Sequence, residues 1–598
     1  LHFEEEIAIF KIYNPDRTFP LSLDRSRMNR PHSVFFVVII VLFAVSVAFA
    51  ASPKPAWAPH SMVSSADRMA TDVGLRVLTE GGNAVDAAAA VAFALGVTES
   101  YSSGIGGGCF ILIRMADGRT AAIDGRETAP ARATRLMYVS KDTAAVSTLS
   151  TEGPLASATP GEVAALDLAI RSFGKRSLAQ DIEGAIALAD TGFTVNMRYA
   201  RAVASEADLL KRFPGTRAIF FKGDSIPLRF GDRLVQTDLA KTLRRIQSEG
   251  IAGFYQGDIP RTVETYMKAN GGILTARDFA AYTPLTREPV RGSYKGYEIL
   301  SMPPPSSGGI HVIQILNLLE PYDLKFLGAG SSESIHLISE AMQIAFADRA
   351  RLLGDPDFVR IPTVGLLSKD YAAERRGKIN RLQHEKLADG GNPWAFQADT
   401  ASQAPISHTT HLCVVDAEGN AVSITATVNT PFGSGVIVPG TGFFLNNEMD
   451  DFVTWPGKPN YFGLVGNAAN EIEPLKRPLS SMSPTILVKD NKTAMVIGSM
   501  GGPRIITSVV LTLLNALDYR MNLQEAVDVP RFHQQWMPDL LYLEQDFPFD
   551  IQANLRNLKH TVKVQGRWAA VTAISADSTY GGWWGAADSR VEGLAKGN

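Results

Sequence analysis

The stretch "HLCVVDAEGNAVSITATV", His411 to Val428, constrains the fold most. Two β-prone runs flank the turn-forming "DAEGN", a hairpin pattern. With the turn centred on Glu418, His411 lies across from Thr425, Cys413 from Ser423, and Thr409 from Thr427. Strand alternation then puts Ser423, Thr425, Thr427 and Asn429 on one face, and Val422, Ile424, Ala426 and Val428 on the other. A slip of one residue would exchange the faces. The apolar face belongs in a core. The polar face either meets water or lines a site. From the hairpin alone, a solvated strand using threonine for its β-propensity is the plainer reading.

The rest of the chain reads as a mixture of helices, strands and loops. Between Ala66 and Val97, Gly81 and Gly82 end one helix and Asn83 caps the next. That second helix is apolar nearly all round and so belongs in the interior. "SSGIGGGCFILI" runs from a glycine loop into an apolar strand. Its glycines bring backbone close to another group or make a turn. A strand follows where a dinucleotide fingerprint needs a helix. Residues 151–350 read as mostly helical. "PPPSSGG", Pro303 to Gly309, is irregular, with a helix expected from about Ile310 to Leu319. Arg376 to Gln403 is polar and reads as an exposed, mobile linker. Beyond Thr410 the pattern is strand-like, then helical near Ile505 to Leu517.

The chain has 598 residues, 45% hydrophobic and 20% charged, enough for a large core. A net charge of -3 gives no nucleic-acid footprint. The two cysteines, Cys109 and Cys413, exclude a disulfide framework. A single bridge between them stays open, but two unpaired buried thiols is the preferred reading. His408 and His411 are three apart in an extended segment, so their side chains oppose each other and no metal is expected there. Residues 1–27 read as an upstream extension. Residues 28–50 read as a secretory signal cleaved after Ala50, with an uncleaved anchor as the other reading. The expected mature protein is exported, periplasmic or secreted, with no membrane segment left.

Three further segments supply site chemistry. "FFLNNEMDDF" places Glu448, Asp450 and Asp451 in one loop among amides. "KRPLSSMSPT" places Ser480 and Ser481 after a proline, and "GSMGGPR" presents the backbone of Gly501 and Gly502. Acids, hydroxyls and amide donors are the parts needed to hold an amino acid and an oxyanion.

Across nearly the whole mature length the chain resembles the γ-glutamyltranspeptidases, or glutathione hydrolases, of the N-terminal-nucleophile superfamily. The resemblance rests on "GGNAVDAAAAVAFAL", "SGIGGG", "DGRETAPARAT", "PPPSSGG", "TTHLCVVDAEGNAVSITATVNTPFGSG", "LNNEMDDF", "RPLSSMSPT" and "GSMGGPRIIT", in that order. It implies a four-layer αββα sandwich, two stacked sheets flanked by helices. It implies self-cleavage between His408 and Thr409 into a large fragment, 51–408, and a small one, 409–598, which stay together as a heterodimer. By the resemblance Thr409 is the nucleophile, with its new α-amine as base. Thr427 supports it, and Gly501 and Gly502 form the oxyanion hole. Arg126, Ser480 and Ser481 bind a substrate α-carboxylate; Asn429, Glu448 and Asp451 bind its ammonium. The implied substrates are glutathione and other γ-glutamyl compounds, with water, amino acids or dipeptides as acceptors and no cofactor.

Two departures stand out. Phe462, after Tyr461, occupies a lid position where many family members have a tyrosine bonded to the position of Asn429, so a looser lid is expected. Ser589 replaces a common proline and reads as neutral. The rival readings are a relative acting on poly-γ-glutamate or glutaryl-cephalosporin amides, and a non-catalytic exported binding protein.

Overall fold

Asp67 starts the first helix, α1 (Arg68–Thr79), by accepting from the Met69 and Ala70 amides. Asn83 and Asp86 form a reciprocal capping box on α2 (Ala84–Thr98). Every residue of α2 except Gly96 is buried, as its all-round apolarity requires. The computed structural model describes residues 53–139, 148–396, 410–455 and 458–598. The expected signal and upstream extension lie outside them, as do His408 and Thr409.

Two seven-stranded antiparallel sheets dominate. One contains β1 (Gly108–Arg114), β2 (Thr410–Val415) and β3 (Ala421–Thr427), flanked by the strands at 62–65, 594–597, 120–125 and 285–287. The other contains β4 (Lys492–Met500), between the strands 485–489 and 570–576, with 297–301, 290–294, 583–587 and 56–58 further out. The β2–β3 ladder pairs Thr410 with Ala426, His411 with Thr425 and Cys413 with Ser423, the register expected from the sequence.

That register sorts the core. Val422, Ile424 and Ala426 join α2 in an outer core. A middle core of Phe110, Leu112, Cys413, Ile486, Val496 and Ile574 lies between the sheets. A third core packs the second sheet against α3 (Ser307–Leu319), α4 (Ser332–Leu352) and α5 (Arg504–Leu517). The result is four layers, helix, sheet, sheet, helix. Segments before residue 397 and after residue 409 supply strands to both sheets.

The polar hairpin face is not solvated. Ser423, Thr425 and Thr427 are fully buried. Ser423 donates to the Ile497 carbonyl of β4 at 3.2 Å. His411 exchanges hydrogen bonds with Thr425, 2.9 Å from Nδ1, and Ser423, 3.2 Å from Nε2. Hydroxyls that could face water here satisfy one another across two sheets. Burial pushes the His411 imidazole down to about 3, so it stays neutral in this layer. Cys109 and Cys413 are buried and unpaired.

The segment read as an exposed linker is partly packed over its described portion. Gly391 donates its amide to Asp348 at 2.6 Å, and Phe396 sits 5.5 Å from the Tyr371 ring. Most of its polar side chains stay exposed, as expected; the packing comes from Gly391, Pro393 and the Phe396 ring, which composition alone cannot show. "PPPSSGG" is irregular only to Ser306, which caps α3, so the helix begins three residues earlier than expected. No helix among the described residues is long and apolar enough to cross a membrane.

Candidate active site

The site forms where the loops at one end of the sheets converge. Gly107 passes so close to the end of β3 that a Cβ there would lie 1.7 Å from the Thr427 carbonyl oxygen. Only glycine permits that approach. The Thr427 hydroxyl accepts from the Asn429 amide at 2.8 Å, and Asn429 adopts a φ of 79°. The Asn429 side chain donates to the Asn447 carbonyl at 2.9 Å, while its buried Oδ1 has no partner among the described residues.

Arg126 is fully buried and gathers the acids. Its guanidinium meets Glu448 in a short contact, Asp451 at 2.8 Å and Glu127 at 3.3 Å. It also donates to the Pro478 carbonyl at 3.1 Å. Asp124 accepts from the Arg126 backbone amide at 3.0 Å, while its carboxylate pairs with Arg287 at 2.8 Å. Burial opposes the Arg126 charge, but Glu448, Glu127 and Asp451 outweigh it and raise its pKa. Burial pushes the Glu127 and Asp451 carboxyls well above their usual range, and each feels Glu448 as a like charge. Three carboxyls share the Arg126 guanidinium, and Arg349 adds a second cationic group near Asp451, so the acids outnumber the cations by one and can accept from an ammonium group.

Ser480 and Ser481 follow directly. The Ser307 amide and hydroxyl both bond the Ser480 carbonyl, at 3.1 and 3.0 Å, so the "PPPSSGG" turn braces the serine loop. The buried Ser481 hydroxyl has no hydrogen-bond partner among the described residues. Opposite them, β4 ends at Met500 and α5 begins at Arg504. Gly501 and Gly502 fill the turn with φ of 117° and 64°. A Cβ on Gly501 would come within 2.8 Å of Ala569, so both backbone angle and space demand glycine. Their place beside a helix N-terminus favours developing negative charge.

The start of β2 is anchored to this turn. The His411 ring lies against Gly498, where an added Cβ would be 2.2 Å away. The Thr410 hydroxyl donates to Glu99 at 3.0 Å, Glu99 accepts from Arg198 at 3.1 Å, and Arg198 reaches the Met500 sulfur at 3.3 Å. Sequence reasoning missed Glu99 and Arg198. The available signal was an acid at the C-terminal end of an apolar helix, where the dipole disfavours it. It also missed Arg349 of α4, which lines a cleft with Asp451 and Asn460. Burial lowers the Arg349 pKa to about 9, against the pull of Asp451.

The lid segment is tied down at Tyr461, whose amide donates to Asp450 at 3.0 Å, and at Asn460, which reaches Asp451 at 3.4 Å. Phe462 packs against the third core, edge-on to Tyr461. Ser589 is not idle: its amide donates to Asp528 at 3.0 Å, a bond that proline would remove.

Glu162 is buried behind the glycine loop, its amide bonded to the Gly107 carbonyl at 3.1 Å. Burial raises its carboxyl to about 8, against a lesser pull from the Gly104 amide. The folded-state pKa lies above the unfolded value of about 4.3. Its stabilising contribution is therefore complete below about pH 4.3 and lost as pH rises through about 8. Glu162→Gln, which mimics the protonated acid, is expected to melt several degrees above wild type at pH 9 and near it at pH 5. An equal offset at both pH values would contradict this.

Two stacked sheets between helix layers, with a strand start, a glycine turn and a buried charged cluster, define an N-terminal-nucleophile-type amidohydrolase fold. The γ-glutamyltranspeptidase family model matches residues 70–597. The glutathione hydrolase proenzyme of Escherichia coli (strain K12) is 44% identical over 545 residues, spanning 91% of this chain and 93% of that one. The crystal structure of cephalosporin acylase from Bacillus halodurans superposes with a TM-score of 0.81 at 27% identity, over 92% of this chain and 98% of that one. That of Helicobacter pylori γ-glutamyltranspeptidase gives 0.52 at 42% identity, over 55% of this chain and 93% of that one. The chain belongs to the γ-glutamyltranspeptidase family.

Proposed function

We propose that the protein is an exported, self-processed γ-glutamyltransferase and glutathione hydrolase. The observation that carries this reading is the buried Arg126–Glu448–Asp451 cluster, with Arg126 bonded to the Pro478 and Leu479 carbonyls just ahead of Ser480 and Ser481. Its excess of acid suits an ammonium group, and its guanidinium and serines suit the carboxylate on the same carbon. A free glutamate head carries both.

In this reading the chain cuts itself between His408 and Thr409, and Thr409 becomes an N-terminus. The observed ladder, continued one residue beyond Thr410–Ala426, would set Thr409 opposite Thr427. The α-amine takes the hydroxyl proton as the oxygen attacks the γ-carbonyl carbon. Negative charge moves to the carbonyl oxygen and is held by the Gly501 and Gly502 amides. The C–N bond then breaks, and the leaving amine takes the proton, releasing cysteinylglycine from glutathione. Water or an amino-acid amine attacks the resulting ester and restores the Thr409 hydroxyl.

Turnover of a γ-glutamyl anilide, compared with glutaryl-amide and poly-γ-glutamate substrates, tests the reading. Preference for the γ-glutamyl anilide is expected, because a glutaryl group lacks the ammonium that the acidic cluster would hold. Preference for glutaryl or polymeric substrates would replace the reading with an acylase or polymer-processing role. No turnover would favour a binding protein.

The lid gives a second prediction. With phenylalanine at 462, no hydroxyl is supplied at that position for the Asn429 oxygen, which has no partner among the described residues. Phe462→Tyr is expected to shift product formation a few-fold from hydrolysis toward transfer. An unchanged ratio would sink the lid argument.

A further inference from the structure

We propose that His336, Glu340 and His560 form a divalent transition-metal site, with zinc(II) the ion best matched to its ligands. His336 and Glu340 stand four residues apart on one face of α4. His560 arrives from the turn after the helix Phe549–Asn557. All three are buried, and a donor atom from each lies within 4.8 Å of the others. The cluster is separate from the substrate machinery described above.

The hydrogen bonds prepare these groups as ligands. His336 Nε2 donates to the Asn380 carbonyl at 2.8 Å, which leaves its Nδ1 lone pair available. That Nδ1 lies 2.7 Å from His560 Nε2. The other His560 nitrogen, Nδ1, is buried with no hydrogen-bond partner among the described residues. With no partner fixing that nitrogen, the His560 ring can carry its proton on Nδ1 and turn the Nε2 lone pair toward His336 Nδ1, so both facing nitrogens can ligate one ion. Glu340 Oε1 accepts from His384 Nδ1 at 2.6 Å, and His384 Nε2 donates to Asp539 at 3.0 Å. Partners of this kind orient a ligating carboxylate.

Two imidazoles and one carboxylate suit zinc better than calcium or magnesium, which prefer all-oxygen sites. Zinc bonds of about 2.0–2.2 Å in a tetrahedral site set ligand atoms roughly 3.3 Å apart. The two histidine nitrogens would part by roughly 0.6 Å and the carboxylate would swing inward. Water would take the fourth position. His336 and Glu340 precede Thr409 and His560 follows it, so the ion would staple the two fragments. That consequence alone rests on the proposed cleavage.

The test uses the purified full-length product, stripped with chelator and titrated with zinc alone by calorimetry. One zinc per molecule is expected, with a higher Tm on loading and visible absorption on cobalt(II) substitution. His560→Gln is expected to weaken binding by at least about 100-fold, and His384→Gln by about 10–100-fold. The uncut Thr409→Ala chain is expected to bind zinc as wild type does, which separates this inference from the processing reading. Folded wild type that takes up no stoichiometric zinc would overturn the proposal. So would undiminished affinity in His560→Gln or, should that variant misfold, in His384→Gln.

Discussion

Thr409→Ala is expected to remain a single chain and to lose turnover by about 10⁶-fold, the scale seen when a hydrolase loses its nucleophile. Wild type in the same preparation is expected to appear by intact mass spectrometry as two fragments, the second beginning at Thr409. Thr409→Ser, which keeps a hydroxyl, is expected to cut more slowly and retain measurable turnover. The reason is that one residue supplies both nucleophile and base, and the base exists only after the preceding peptide bond is broken. A cut Thr409→Ala chain, or an active uncut one, would end the proposal that Thr409 carries the chemistry.

Arg126→Lys is expected to keep self-cleavage but to lower kcat/KM for a γ-glutamyl anilide by about 10²–10³-fold, chiefly through KM. The change keeps one positive charge. It removes the planar fork that meets Glu448 and Asp451 together and that would meet a carboxylate with two parallel bonds. Breaking a buried ion pair typically costs about 3–5 kcal/mol, and each 1.4 kcal/mol is about tenfold. Comparing the Tm of the variant with wild type separates substrate binding from lost structure. An unchanged KM in a folded, cleaved variant would remove Arg126 from substrate recognition.

Much of this architecture was legible in the chain. The hairpin register followed from strand alternation and one turn, and the ladder matches it at His411–Thr425 and Cys413–Ser423. The cap at Asn83, the buried α2 and the close-approach glycines were local signals read from neighbouring residues. The candidate residues were also named from sequence, but by resemblance to a family rather than by physics. No spacing rule links Arg126 to residues more than three hundred positions away.

The sequence by itself determined local matters: where helices begin, which strands pair through a short turn, and which side chains share a face. The tertiary structure decided whether that face met water. Ser423, Thr425 and His411 would suit solvent as well as they suit each other, and only the second sheet closing over them made their layer dry. It likewise decided that Glu99 would meet Thr410, that Gly391 would set its amide against Asp348, and that three acids would crowd one arginine. The physical reason is common to all of them. Patterning acts over a few residues along the chain, whereas burial of a charge or hydroxyl depends on partners brought from distant segments, and only the folded layers bring those partners into range.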